Sequence, residues 1–255
     1  MRRPIIAGNW KMHKGPDETI AFLDELLPRV SNIEDREVVI APPFVSLITA
    51  ARRLRGSRVK LSAQNCHWEN RGAFTGEVSP SMLLEAGCTY VIIGHSERRQ
   101  LFGETNQSVN RRVLGALAAG LIPILCIGEN LEERKAKHTL AVVERQLRKS
   151  LEDVEADDAE TLVVAYEPVW AIGTGISASA EQAQEVHFFI RQFFEKQYNK
   201  TLANSIKILY GGSVKEDNVD ELMAQPDIDG TLVGGASLKA AEFERIVRFM
   251  EPNAS

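Results

Sequence analysis

The sequence predicts an α/β fold, a single (β/α)₈ barrel domain, from three observations. Eight short apolar runs recur at intervals of a few tens of residues, at 5–7, 38–41, 59–63, 90–93, 122–127, 162–166, 206–210 and 229–233. Segments with helical periodicity lie between them. Polar residues and glycines gather after nearly every run. Each run is too short for a helix and nearly continuous in apolar character, as strands covered on both faces are. Strand and helix in alternation build a parallel sheet. No Ser/Gly/Pro-rich linker or shift of composition divides the 255 residues, and an α/β barrel reaches that length as one domain, here 1–255.

Taken in order, the first run ends in Gly8-Asn9-Trp10-Lys11 and leads to a helical segment over 17–30, with Ile20, Phe22, Leu23, Leu26 and Leu27 on one side. The second ends in Pro42-Pro43 and the third in Gln64-Asn65. The fourth ends in Gly94-His95, after which Ser96-Glu97-Arg98-Arg99 reads as a helix start. The fifth ends in Gly128-Glu129-Asn130 and the sixth in Glu167-Pro168. A helical segment over 180–198, carrying Val186, Phe189, Ile190 and Phe193, precedes the seventh run, which ends in Gly211-Gly212-Ser213. The eighth ends in Gly234-Gly235, before a segment over 240–250 with Phe243, Ile246, Val247 and Met250. A doubly wound open sheet is the structural alternative, and periodicity alone does not exclude it. An open sheet gathers its functional residues at one switch point. Their spread over all eight run ends favours the barrel, whose sites lie at the C-terminal rim.

A net charge of −5 argues against a nucleic-acid partner or an anionic membrane surface. An anionic substrate must then be attracted by local charge and backbone dipoles. The three cysteines, Cys66, Cys88 and Cys126, are odd in number and never spaced as CxxC, so reduced thiols in a cytoplasmic protein are expected and a metal site is not. Arg2 and Arg3 have no apolar segment of signal-peptide length behind them, and no run approaches a membrane span.

The stretch from Ala165 to Gly175 is the most informative. An apolar strand delivers one carboxylate, Glu167, and a loop follows with proline at one end and glycines at the other. A base on a rigid strand beside a hinged flap suits proton abstraction. The plain alternative for Glu167 is half of a structural salt bridge, but the neighbouring Val169 and Trp170 offer an apolar wall that would raise a carboxylate's basicity. Lys11 would by default be solvated surface. Its place past a strand end and beside an amide points instead to a fixed cation facing an anionic substrate. Asn9 either caps the turn or donates to the same substrate. Among five histidines, His13, His67, His138 and His187 read as surface residues. His95 alone follows a strand and a glycine and opens a helix, whose positive end disfavours imidazolium. It is either a capping or core histidine or a neutral imidazole that polarises a carbonyl. The glycines after the seventh and eighth runs suit either plain turns or phosphate binding through backbone N–H groups. No GxxxxGK[ST] is present. Gly173 to Ala178 fits GxGxxA, but Pro168 to Ile172 separate it from the strand, so the tight turn of a dinucleotide motif is missing.

With these residues in view, the chain resembles the triosephosphate isomerases over essentially its whole length. The resemblance is carried by five blocks in family order, 7–12, 93–99, 165–175, 210–214 and 232–237. It implies interconversion of dihydroxyacetone phosphate and glyceraldehyde 3-phosphate without cofactor or metal. Glu167 would be the base and neutral His95 the electrophile, a division of roles for which this family is itself a standard worked case. Lys11 and Asn9 would stabilise the enediolate, with Glu97 supporting Lys11. Gly173, Ser213, Gly234 and Gly235 would hold the phosphate. Residues 168–175 would close as a lid, with Trp170 swinging and Glu129 its partner, to protect the intermediate from phosphate elimination. Where the family commonly has lysine after the second glycine, this chain has Ile176, which touches the hinge and not the chemistry. A homodimer is implied, with the loop 66–79 as its contact and Phe74 at the tip. Two other classes stay open: a Schiff-base lyase with Lys11 as nucleophile, and a phosphate-binding barrel without catalysis.

Overall fold

In a computed structural model, which describes residues 2–172 and 178–250, eight parallel strands close on themselves in sequence order. They are β1 (Ile5–Asn9), β2 (Glu37–Ala41), β3 (Lys60–Ala63), β4 (Tyr90–Ile93), β5 (Ile122–Ile127), β6 (Val163–Tyr166), β7 (Lys207–Tyr210) and β8 (Gly230–Val233). Ile5 pairs with Glu37 on one side and Gly230 on the other, which shuts the barrel. The open-sheet alternative is thereby excluded. β1 runs two residues further than expected. Asp229 falls one residue before β8, though its N–H still donates to Ile208 O at 2.8 Å and its carbonyl accepts the Ile5 N–H at 3.0 Å. Its carboxylate accepts the Ile208 N–H at 2.9 Å and pairs with Arg191 at 2.7 Å and with Arg2.

The apolar runs are continuous because each strand feeds two cores. Ile5, Ala7, Val39, Ile92, Cys126, Ala165, Leu209 and Leu232 fill the barrel interior. Their neighbours in sequence, among them Ile6, Ile40, Val91, Leu125, Val164 and Ile208, pack outward beneath Leu23, Leu26, Val113, Leu147, Ile190 and Phe243 of the helices.

The helix Pro16–Val30 buries Thr19, Phe22, Leu23, Leu26 and Val30, while Ile20 is 41% exposed. The buried stripe is thus rotated from the expected one, because spacings of three and four centre it on 19, 23, 26 and 30. The last helix is Ala240–Val247, shorter than expected, and Met250 is exposed. Beyond it the guanidinium of Arg248 bonds Arg29 O and Asn32 Oδ1. Two histidines expected at the surface are buried, His67 and His187. His187 stands edge-on to the Tyr166 ring and faces Tyr210, with Nδ1 3.2 Å from Asp227 O. Among the described residues no helix is long and apolar enough to cross a membrane.

Side chains alternate across a strand, and the inward series runs through Ile5 and Ala7, Val163 and Ala165, Leu209, and Leu232. One more step places Asn9, Glu167, Gly211 and Gly234 on the axis side at the C-terminal rim.

Candidate active site

A cavity of about 480 Å³ opens at that rim, and Asn9, Lys11, His95, Glu167, Ser213, Gly234 and Gly235 all line it. Glu97 stands beside it through Lys11. Gly173, Gly175 and Ile176 lie outside the described residues.

Lys11, two residues past Asn9 and lining the same cavity, adopts a positive φ of 52°, uncommon for a residue with a Cβ and of the kind that persists where its surroundings enforce it. Here they do. Asn9 Oδ1 accepts the Lys11 N–H at 3.0 Å, and Gln64 Nε2 donates to Lys11 O and to Ala41 O, both at 2.8 Å. The ammonium then reaches Glu97 Oε1 at 2.6 Å. Gln64 is a residue that sequence reasoning passed over. Its signal was position: a glutamine one step past β3 whose amide can bridge two loops.

His95 reaches the cavity by a different device. Val91 and Ile93 face the outer core, so simple alternation would send residue 95 outward as well. Gly94, at φ 72°, turns the chain instead; a Cβ there would stand 2.9 Å from Arg99 Nη2 and 3.0 Å from Val109. His95 then caps the helix Ser96–Leu101, its Nδ1 accepting the Glu97 N–H at 3.3 Å. An accepting Nδ1 carries no proton, so the ring hydrogen of the neutral imidazole is on Nε2, which donates to Glu167 Oε1 at 2.9 Å.

Glu167 is 2% exposed, and its second oxygen accepts the Ser96 N–H at 2.9 Å. Gly211 leaves room for it: a Cβ there would lie 2.9 Å from Glu167 Cγ. The expectation of a raised basicity is reversed in this arrangement. Burial pushes the Glu167 carboxyl up, but His95, the Ser96 N–H and Lys11 together hold it below the usual carboxylate range. For His95, burial pushes down, while facing Glu167 and Glu97 carries the ring above its ordinary value. The six-residue helix that His95 caps does not outweigh two carboxylates. Both shifts belong to one contact, the 2.9 Å bond between the two side chains.

Past the end of β6, Trp170 Nε1 donates to Glu129 Oε1 at 2.9 Å from the short 3₁₀ turn Val169–Ala171. Glu129 is fully buried and also accepts Tyr166 Oη at 3.1 Å and Thr139 Oγ1 at 3.3 Å. At the opposite wall the turn Gly235–Leu238 begins at the cavity, so its first N–H groups have no intrahelical acceptor. Such groups favour an anion. Among the described residues no three His, Cys, Asp or Glu side chains form a group that could hold a metal ion.

The sequence model of the triosephosphate isomerase family matches residues 4–250. A triosephosphate isomerase of Pelobacter propionicus is 54% identical over 249 residues, covering 98% of this chain and 99% of its own. One from Citrifermentans bemidjiense is 55% identical over 251 residues, covering 98% and 100%. The crystal structure of triosephosphate isomerase from Bartonella henselae superposes with a TM-score of 0.88 at 40% identity, covering 96% of this chain and 97% of that one.

Proposed function

This chain belongs to the triosephosphate isomerase family, an isomerase family, and from that premise we propose that it interconverts dihydroxyacetone phosphate and D-glyceraldehyde 3-phosphate, a glycolytic step, through an enediol(ate). The supporting observation is the meeting of Glu167 and His95 Nε2–H at 2.9 Å in a cavity that Lys11 and the turn at Gly234-Gly235 also line.

Glu167 takes the proton from C1 and returns it at C2. His95 donates its Nε2 hydrogen to the carbonyl oxygen and moves protons between the two oxygens. Lys11, set by Glu97, and Asn9 balance the charge that develops there, a term that is large where donors are preorganised. The phosphate lies on the N–H groups at Gly234 and Gly235, with Ser213 and Gly173 completing its cradle. A substrate oxygen on Nε2 takes the place now held by Glu167 Oε1. Separating the pair removes the main influence that depresses the carboxyl, and burial, now opposed only by the Ser96 N–H and Lys11, raises its basicity toward what a base requires. Residues 168–175 act as the lid, rooted in the Trp170–Glu129 bond. The lyase reading is disfavoured because the Lys11 amine is ion-paired with Glu97 at 2.6 Å, whereas a Schiff-base lysine sits desolvated or beside another cation.

A homodimer goes with this reading. Met12, Val45, Ile48, Phe74 and Met82 are large apolar residues left exposed, which a partner surface would cover. Phe74 also packs on His67 at 4.1 Å, which fixes the tip of the 66–79 loop for contact. Equilibrium ultracentrifugation at micromolar concentration showing only monomer refutes the dimer. A cytoplasmic setting suits the three cysteines, which are free and buried.

The test is a coupled assay for glyceraldehyde 3-phosphate formation. Glu167→Asp withdraws the carboxylate by about 1 Å and lowers kcat about 10²-fold. A variant that keeps wild-type kcat sinks Glu167 as the base.

A further inference from the structure

Behind the rim, on the side away from the substrate cavity, the helix Thr139–Ser150 buries Val142, Val143, Leu147 and Ser150. Position 146 falls on the same face, where an apolar residue would continue the stripe, yet it is a glutamine. Its carboxamide is spent entirely on one backbone unit. Oε1 accepts the Gly128 N–H at 2.7 Å, and Nε2 donates to Gly128 O at 3.0 Å.

Gly128 is no ordinary loop residue. It abuts the main chain of the base, so closely that a Cβ on it would fall 1.7 Å from Glu167 O. On one side of it, Ile127 O accepts the Glu167 N–H at 2.7 Å. On the other, Glu129 takes the Trp170 indole at 2.9 Å, and its carbonyl accepts the Val169 N–H at 3.1 Å. The end of β5 is therefore the surface against which both the base and the root of the lid are set. At this point the strand ladder has run out, and Gln146 supplies the pairing that a further strand residue would have given.

We propose that Gln146 is a positioning residue for catalysis, acting through Gly128 to hold Glu167 at its working distance and to fix the anchor of the lid. This rests on the base reading of Glu167 above. Gln146 touches no substrate. A cavity of about 190 Å³ separates it from the site, lined by Ser96, Arg99, Gly128, Glu133, Gln146 and Glu167 among others. That space admits water to the Gly128 N–H and C=O when the amide is removed, so the barrel folds without it while the fixed geometry is lost.

The experiment is steady-state kinetics on Gln146→Leu, Gln146→Glu, Glu167→Asp and the double variant Gln146→Leu/Glu167→Asp. Gln146→Leu lowers kcat about 10-fold and leaves KM within about twofold, as a sub-ångström displacement of the base does. Gln146→Glu keeps an acceptor for the Gly128 N–H and recovers part of that loss. Because Glu167→Asp has already withdrawn the base, adding Gln146→Leu to it costs clearly less than in the wild type. If Gln146→Leu does not fold, Gln146→Glu carries the same comparison. Wild-type kcat in the folded variants, or a loss that multiplies unchanged in the double variant, overturns the proposal. A crippled Glu167→Asp beside an unimpaired Gln146→Leu overturns the clamp alone; an unimpaired Glu167→Asp overturns the base reading itself.

Discussion

Replacing His187 tests whether the strand ends that carry the site are held by a neutral buried imidazole. The ring is fully buried, with Nδ1 on Asp227 O at 3.2 Å and Arg191 close by. Burial first of all, and then the arginine's charge, push its pKa from the ordinary 6.5 down to about 3. Above pH 6.5 neither the folded nor the unfolded chain protonates this ring, and its contribution to stability is fully present. Between 6.5 and about 3 the unfolded chain binds a proton that the folded chain refuses, so stability falls as pH falls, at about 1.4 kcal/mol per unit. Over the whole window that amounts to about 5 kcal/mol, and the upper part from pH 6.5 to 5 alone contributes about 2 kcal/mol. Glu167 carries a related pressure: its lowered pKa gives stability that is present above 4.5 and is lost only as pH falls below that value. It does not enter the upper window. Urea unfolding at pH 7.5, 6.5, 5.8 and 5.0, at fixed protein concentration, separates the two. His95, carried above 6.5, works in the opposite sense in this window, so the ring is read from the difference between the two proteins. Below pH 6.5 the wild type loses stability relative to His187→Gln, which cannot titrate, with a slope differing by about one proton. Equal slopes for the two proteins refute a neutral, proton-refusing His187.

Three further outcomes follow from the same geometry. Lys11→Met removes the cation facing the substrate and abolishes turnover in the coupled assay. It shifts the unfolding free energy by less than about 1 kcal/mol, since the Lys11–Glu97 pair is partly solvated; unchanged substrate affinity contradicts the anion-binding role. Gly94→Ala places a Cβ at φ 72° against Arg99 and Val109, costing about 1–3 kcal/mol of stability. It also swings His95 from Glu167, so a variant of normal stability and activity dismisses the turning role of Gly94. Glu129→Gln leaves the Trp170 and Tyr166 donors a weaker, neutral partner and reduces kcat more than it reduces folding; stopped-flow Trp fluorescence with unaltered lid kinetics argues against the latch.

Eight apolar runs, the turn residues behind them and the blocks around Lys11, His95 and Glu167 are readable along the chain, because strand burial and backbone turns are local demands on sequence. Asn9 and Glu167 follow from alternation alone. The spacing of residues 11, 95 and 167 gave no sign of the tertiary contacts among them. Barrel closure brought together rim residues that lie far apart in sequence, and a positive φ at Gly94 overrode the alternation that would have hidden His95. The electrostatics were likewise decided in three dimensions. An apolar wall around Glu167 suggested a raised pKa, but a bond of 2.9 Å to His95 reverses the sign. His187 read as a surface histidine and Gln146 drew no attention at all, since helical position alone does not say what stands opposite a side chain. Sequence thus specified which chemical groups the protein owns and which way each strand turns them. Only the closed barrel set the distances between them, and charge interactions depend on distance.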